Sequence, residues 1–181
     1  AEAHRDAEVV KMVTSLSVFF RNSLSKGRDV ITLRAERDQV SSYLEIQQIR
    51  YSDILDYEIH IPEDLLDCMV PKLVLQPLVE NAIYHGTKNK RGIGRIVISG
   101  ESQNDDILLR VADDGAGMDE EQLQALQAGV YEDRHTGLGL VNVHKRIKLY
   151  CGDGYGLSVE SALGKGTTVS IRLPKRTQIH L

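Results

Sequence analysis

Cysteine is scarce: only Cys68 and Cys151 occur in 181 residues, and neither belongs to a CxxC pair or a metal-ligand spacing. This excludes a disulfide scaffold and predicts two reduced, partly buried thiols, as suits a cytosolic compartment. Excess positive charge is missing too. The formal net charge is -4 and the pI lies near 5.9, with Lys88, Lys90 and Arg91 forming only a short basic cluster, so nucleic-acid binding is not expected. No apolar run approaches the roughly 18 residues that span a bilayer, and the opening AEAHRDAEVV lacks the apolar stretch of a secretory signal. Because that opening falls straight into helix-like sequence, the chain reads as a fragment of a longer protein. Any membrane attachment would come through segments upstream of it. Internal repeats and low-complexity tracts are absent. So are GxxxxGK[ST] and a strand-associated GxGxxG with a downstream ribose-binding acid, which removes the P-loop and Rossmann readings.

What is present begins with helical periodicity. From about Asp6 to Ser25, Val9, Met12, Val13, Leu16, Phe19, Phe20 and Leu24 recur at three- and four-residue steps until KGRD breaks the pattern. A second helix is expected from Arg34 to Tyr51. Its apolar residues Val40, Tyr43, Leu44, Ile46 and Ile49 cover more than half the circumference, so it should touch more than one neighbour. The two would pack as an antiparallel hairpin, seated either against a partner chain or a missing helix, or on its own domain. After Ser52 the period changes to two. Strands are predicted at 57–61, 95–99, 107–112, 157–161 and 168–173, and helices at 73–84, 119–127 and 140–150, with Pro77 tolerable in a first turn. This order favours an α/β sandwich, a mixed sheet covered by helices, over residues 53–181, preceded by a helical hairpin over 1–52.

Four separated motifs carry the chemistry. In LQPLVENAIYHG, Asn81 and His85 share a helix face and Glu80 sits about 100 degrees round. An Asn oxygen is a neutral hard ligand, suited to a magnesium ion that takes most of its shell from water and phosphate. Asn81 is thus the candidate metal ligand, with Glu80 and His85 as candidate catalytic neighbours; alone, Asn81 and His85 could equally satisfy local backbone. In DDGAG, Asp113 ends an apolar strand at a turn where Gly115 and Gly117 permit close approach. An ionised carboxylate there can accept from adenine's exocyclic amine but can offer guanine's carbonyl no proton. In HTGLGL, Gly137, Leu138, Gly139 and Leu140 open a helix whose bare N–H groups suit phosphate. The preceding YEDRHT reads as a lid between glycine hinges. Lys88, Arg134 and His135 are either phosphate contacts or solvated surface groups. In GKGT, Gly164 and Gly166 permit a tight turn and Thr167 can bond a base or its water.

In this order the motifs resemble the N, G1, G2 and G3 boxes of the superfamily that unites gyrase, heat-shock chaperone ATPases, histidine kinases and MutL. More narrowly, SLSKGRDVITLRAERDQVSSYLEIQQIRY, VPKLVLQPLVENAIYHG and GLGLVNVHKRIKLYCGDGYGLSVES are similar to the LytS/YesM-like sensor histidine kinases. The resemblance implies a Bergerat-type ATP-binding fold, with ATP and Mg as ligands. It gives Asn81 the magnesium, Asp113 the adenine, Gly115 and Gly117 the G1 turn, Gly137, Gly139 and Leu140 the G2 loop, and Gly164, Gly166 and Thr167 the G3 turn. It further implies a homodimer in the full-length protein, an acceptor histidine on an upstream helix, and relay to a response-regulator aspartate in the cytoplasmic part of a membrane-bound sensor. The family's PHF-type acceptor motif is absent, and His4 stands in polar sequence, so self-phosphorylation at the usual site is not expected of this chain.

Hydrolytic relatives place a water-activating glutamate one turn before the magnesium-binding Asn. Here that position is Pro77, and Glu80 would point away on an ideal helix. A neutral imidazole is already a nucleophile, so the sequence favours a kinase over an ATPase, a serine kinase or a nucleotide-gated dimerisation module.

Overall fold

The computed structural model describes residues 13, 14, 17, 29–51, 54–87, 92–128 and 137–177. Apart from residues 13, 14 and 17, the first expected helix lies outside them, as do Lys88, Arg134, His135 and the YEDRHT segment.

Strand β1 (Val30–Thr32) leads directly into helix α1 (Leu33–Arg50), whose N-cap Thr32 accepts the Ala35 N–H. Strand β2 (Leu55–His60) and a 3₁₀ turn at Glu63–Leu65 precede β3 (Met69–Pro71), which pairs antiparallel with β1. Helix α2 (Gln76–Asn81) carries Pro77 in its first turn, where a missing N–H costs nothing, and passes without a break into a π-helical segment, Ala82–Thr87. Then follow β4 (Gly94–Gln103), β5 (Asp106–Asp113), α3 (Glu120–Gln127), α4 (Gly137–Cys151), β6 (Gly156–Ala162) and β7 (Gly166–Pro174).

The main sheet has the order β2-β4-β5-β7-β6, with β2 and β4 parallel and every other pair antiparallel. Alternation along its strands buries Ile96 and Ile98, then Ile107, Leu109 and Val111, then Val169, Ile171 and Leu173. These residues share one core with Leu78 and Val79 of α2 and with Leu140, Val143 and Ile147 of α4. The expected mixed-sheet α/β architecture is therefore present. Among the described residues no helix is long and apolar enough to cross a membrane.

Helix α1 joins the same core through Leu33, Val40 and Leu44. The change of pattern at residue 52 is thus not a break in packing. Its buried face also holds Glu36, Gln39 and Ser42, polar residues that periodicity assigns to no core.

Candidate functional site

Strand β5 delivers Asp113 to the end of the sheet, opposite Thr167 at the start of β7. Its Oδ1 accepts the Gly115 N–H at 2.9 Å. Burial pushes the carboxyl up to about 6, the N–H groups of Gly115 and Thr167 act against that rise, and the neighbouring Asp114 charge adds to it. The carboxylate is poised to accept but is incompletely compensated by protein.

The G1 and G3 turns fit backbone to backbone. Gly117 has φ 65°, and an added Cβ would lie 2.0 Å from the Ala162 carbonyl oxygen; Gly166 has φ 88°, and its Cβ would lie 2.0 Å from the Asp113 carbonyl oxygen. Only glycine fits either position. The Gly164 N–H donates to the Ala116 oxygen at 2.6 Å. Ser161, on β6, is the side chain that ties the turns together. Its Oγ accepts the Met118 N–H at 2.8 Å, donates to the Gly166 oxygen at 3.0 Å and lies 2.9 Å from Thr167 Oγ1. With the Ser161 proton on Gly166, Thr167 donates to Ser161 and turns its free lone pairs outward as acceptors.

Asn81 closes α2 at the junction with the π segment. The wider π turn keeps Asn81 and His85 on the wall of one cleft, which also receives Asp113, Met118, Leu140 and Thr167. The ring of His85 lies edge-on to Tyr84, with centroids 4.9 Å apart. The Asn81 Nδ2 atom is buried and makes no hydrogen bond, so this amide is unsatisfied by protein. A 180° turn of the amide would present its oxygen instead.

Asn81 also faces a second cleft of about 280 Å³ between α1 and α2, shared with Tyr43, Arg50, Pro77, Glu80 and Gly139. Glu80 is exposed and its Oε1 accepts from Gln76 Nε2 at 2.8 Å. It thus lines a cleft beside Asn81, where an ideal helix would have turned it away. Pro77 abuts the G2 glycine: a Cβ on Gly139 would stand 3.8 Å from the Pro77 Cβ.

Helix α4 starts at Gly137 rather than near Leu140, so Gly137 and Gly139 supply N–H groups of its first turn, which have no partner within the helix. Leu140 is buried in the cleft wall, and of Leu138 only the backbone is described. Gly164 stands in the open G3 turn with φ 75° and nothing within 4 Å of an added Cβ. Asn81, His85, Asp113, Leu140 and Thr167 are therefore brought together. Glu80 and Gly139 line the adjoining cleft, while Lys88 and Arg134 lie outside the described residues.

Among the described residues no group of three or more His, Cys, Asp or Glu side chains could cage a metal. A single unsatisfied Asn amide fits magnesium better than zinc or calcium, because magnesium keeps several waters and shares its shell with phosphate oxygens. Sequence reasoning missed Ser161, which looks like an ordinary strand residue, and the polar face of α1.

The histidine kinase-, DNA gyrase B- and HSP90-like ATPase family matches residues 67–177, and the histidine kinase family matches residues 1–55. The sensor histidine kinase YesM of Bacillus subtilis is 34% identical over 179 residues, which takes in 99% of this chain and 30% of the relative. BtsS, a sensor histidine kinase of Escherichia coli, is 35% identical over 181 residues, with 98% and 30% covered. The sensor protein LytS of Staphylococcus haemolyticus is 36% identical over 169 residues, with 92% and 29% covered. The chain spans about 30% of the length of these relatives. In fold it is similar to the catalytic domain of the histidine kinase ThkA, with a TM-score of 0.64 at 22% identity over 81% of this chain and 96% of that one. The histidine kinase domain of a blue-light activated kinase from Erythrobacter litoralis gives a TM-score of 0.61 at 16% identity, covering 93% and 75%. The chain belongs to the histidine kinase-, DNA gyrase B- and HSP90-like ATPase family, as the catalytic ATP-binding domain of a LytS/YesM-family sensor histidine kinase.

Proposed function

We propose that the domain binds Mg-ATP in the cleft that Asn81 and Asp113 share and delivers the γ-phosphoryl group to a histidine on an upstream helix of the full-length dimer, for relay to a response-regulator aspartate. The observation that carries this reading is the convergence of Asn81, His85, Asp113 and Thr167 on one cleft, with the proline ring of Pro77 where a hydrolytic base would stand.

Asp113 accepts from adenine's amine beside the Thr167 hydroxyl, Met118 and Leu140 cover the ring, and the first-turn N–H groups of α4 receive the phosphates. Asn81 would hold magnesium, which when bound would supply neutralisation of phosphate charge. His85 contributes to the same wall, and Lys88 and Arg134 are the further candidates for the terminal phosphates. The acceptor enters by the second cleft. One imidazole nitrogen attacks phosphorus, the bond from the γ-phosphorus to the bridging oxygen breaks and ADP departs, and the other ring nitrogen releases its proton to Glu80. A carboxylate at that place also fixes the tautomer of the nucleophile.

The place of Glu80 supports one competing reading, in which it activates water and the domain is an ATPase. The experiment supplies γ-labelled Mg-ATP with the chain and a separate helix bearing the PHF-type acceptor, and follows acid-labile protein phosphate and free phosphate together. Labelled helix with little free phosphate is expected, lost in Asn81→Ala and slowed at least tenfold in Glu80→Gln. Rapid free phosphate with an unlabelled helix would overturn the kinase reading in favour of hydrolysis.

A further inference from the structure

We propose that Glu36, a buried carboxylate on α1, is a positioning residue for the Mg-ATP site: it fixes the start of α2 and, through that helix, the Asn81 amide. The proposal rests on the reading of Asn81 as the metal-binding side chain.

Helix α2 lacks a cap of its own. Leu75 stands at the N-cap position and makes no side-chain cap bond, so the leading N–H groups need acceptors from elsewhere. Glu36 supplies them from a helix 37 residues upstream. Its Oε2 accepts the Leu73 N–H at 3.0 Å and its Oε1 the Leu75 N–H at 2.9 Å, while the N–H groups of Val74 and Gln76 also turn toward it. Leu73 adopts φ 60°, a left-handed conformation that leucine rarely takes and that folds successive N–H groups into a concave row. Glu36 has no exposed surface. Burial pushes its carboxyl up and the four N–H groups act against that rise. A leucine would fill the space but leave the Leu73 and Leu75 N–H groups without acceptors, so the acid serves the turn as well as the packing.

The same turn is held from the other side. Arg146 Nη1, on α4, donates to the Lys72 oxygen at 2.7 Å and to the Leu73 oxygen at 3.4 Å. A second tether parallels the first: Gln39 Nε2 donates to Gln76 Oε1, and Gln76 Nε2 donates to Glu80 Oε1. Asn81 lies five residues beyond Gln76, about 8 Å along the axis. Over so short a rod, a displacement of the turn at 73–75 reaches the Asn81 side chain undiminished.

The test titrates the chain with ATP by calorimetry, with magnesium and with EDTA, in wild type, Glu36→Gln, Asn81→Ala and the double variant. Glu36→Gln is expected to weaken ATP binding about tenfold with magnesium and less than twofold without it. The double variant should bind no worse than Asn81→Ala. In the nucleotide-free protein, the Leu73 and Leu75 amides should exchange hydrogen at least tenfold faster in Glu36→Gln. Unchanged magnesium dependence in a folded Glu36→Gln would overturn the proposal, and so would an equal loss with and without magnesium, which marks general packing. If Asn81→Ala binds Mg-ATP as wild type does, the site reading falls and takes this proposal with it; a null result in Glu36→Gln alone leaves that reading standing. Should Glu36→Gln not fold, Glu36→Asp, which keeps the charge and withdraws it by one methylene, is held to the same outcomes.

Discussion

At the residue scale, Asp113 trades stability for recognition. Its folded pKa, about 6, lies above the ordinary 3.8, so the folded form holds its proton more tightly than the unfolded chain does. The stability this contributes is complete below pH about 4 and is lost as pH rises through about 6, leaving a cost on the order of 2–3 kcal/mol at neutral pH. Asp113→Asn keeps an acceptor for the Gly115 N–H and removes the buried charge. It should therefore unfold at higher temperature than wild type at pH 7.5, with the gain gone near pH 4, while its ATP affinity drops tenfold or more. Wild-type affinity should also fall as pH drops below about 6, a dependence that Asp113→Asn lacks; equal thermal stabilities at pH 7.5 would remove the assigned cost. The glycines make a second contrast. Gly166→Ala meets a carbonyl oxygen at 2.0 Å in a left-handed conformation, whereas Gly164→Ala, at φ 75°, meets nothing. The first should cost more than about 3 kcal/mol and the second about 1 kcal/mol in urea unfolding.

At the element scale, the site is held where strand ends meet turns, and β6 is the fastener. Ser161→Ala removes one hydroxyl that serves Met118, Gly166 and Thr167 together. Chemical denaturation should register a loss of about 1–3 kcal/mol, since an N–H and a carbonyl are left unpaired. Calorimetry should show weaker ATP binding, because the G1 and G3 turns lose their shared anchor. Elements of this length were legible in the sequence wherever periodicity spans several residues: β4, β5, β6, β7, α3 and α4 all stand within a few residues of their expected places. Strands β1 and β3 were not, because three residues carry no period and each exists only through the other. The π segment was hidden for a different reason. It is a hydrogen-bond slip, and apolar spacing over six residues does not distinguish it from α-helix. Motif chemistry placed Asn81, Asp113 and Thr167 together, but the partner of Glu36 is backbone, which has no sequence signature. The one local hint was a helix start at Leu75 with no Ser, Thr, Asp or Asn to cap it.

At the scale of the whole molecule, α1 belongs to the ATP-binding core by packing, although it lies upstream of the change of pattern at residue 52. Leu33, Val40 and Leu44 are almost wholly buried. At about 1.5–3 kcal/mol each, their burial contributes roughly 5–9 kcal/mol of gross stabilisation, against which the entropy of ordering α1 is set. Removing α1 would in addition strip Glu36 from the start of α2 and Gln39 from Gln76. Two truncations separate the alternatives. A protein of residues 29–181 should melt cooperatively and bind ATP, because it keeps α1 and the β1–β3 pair. A protein of residues 55–181 should lose cooperative melting, bind a hydrophobic dye and fail to bind ATP. If the shorter protein melts and binds as the longer one does, α1 is an appendage, and in the proposed kinase the upstream helices would act only by carrying the acceptor histidine. If it collapses, the helix that connects to the upstream part of the sensor is also a structural wall of the nucleotide site. Strain on α1 would then reach Asn81 through Glu36 before any histidine arrived, so that signal input could set nucleotide affinity as well as acceptor distance.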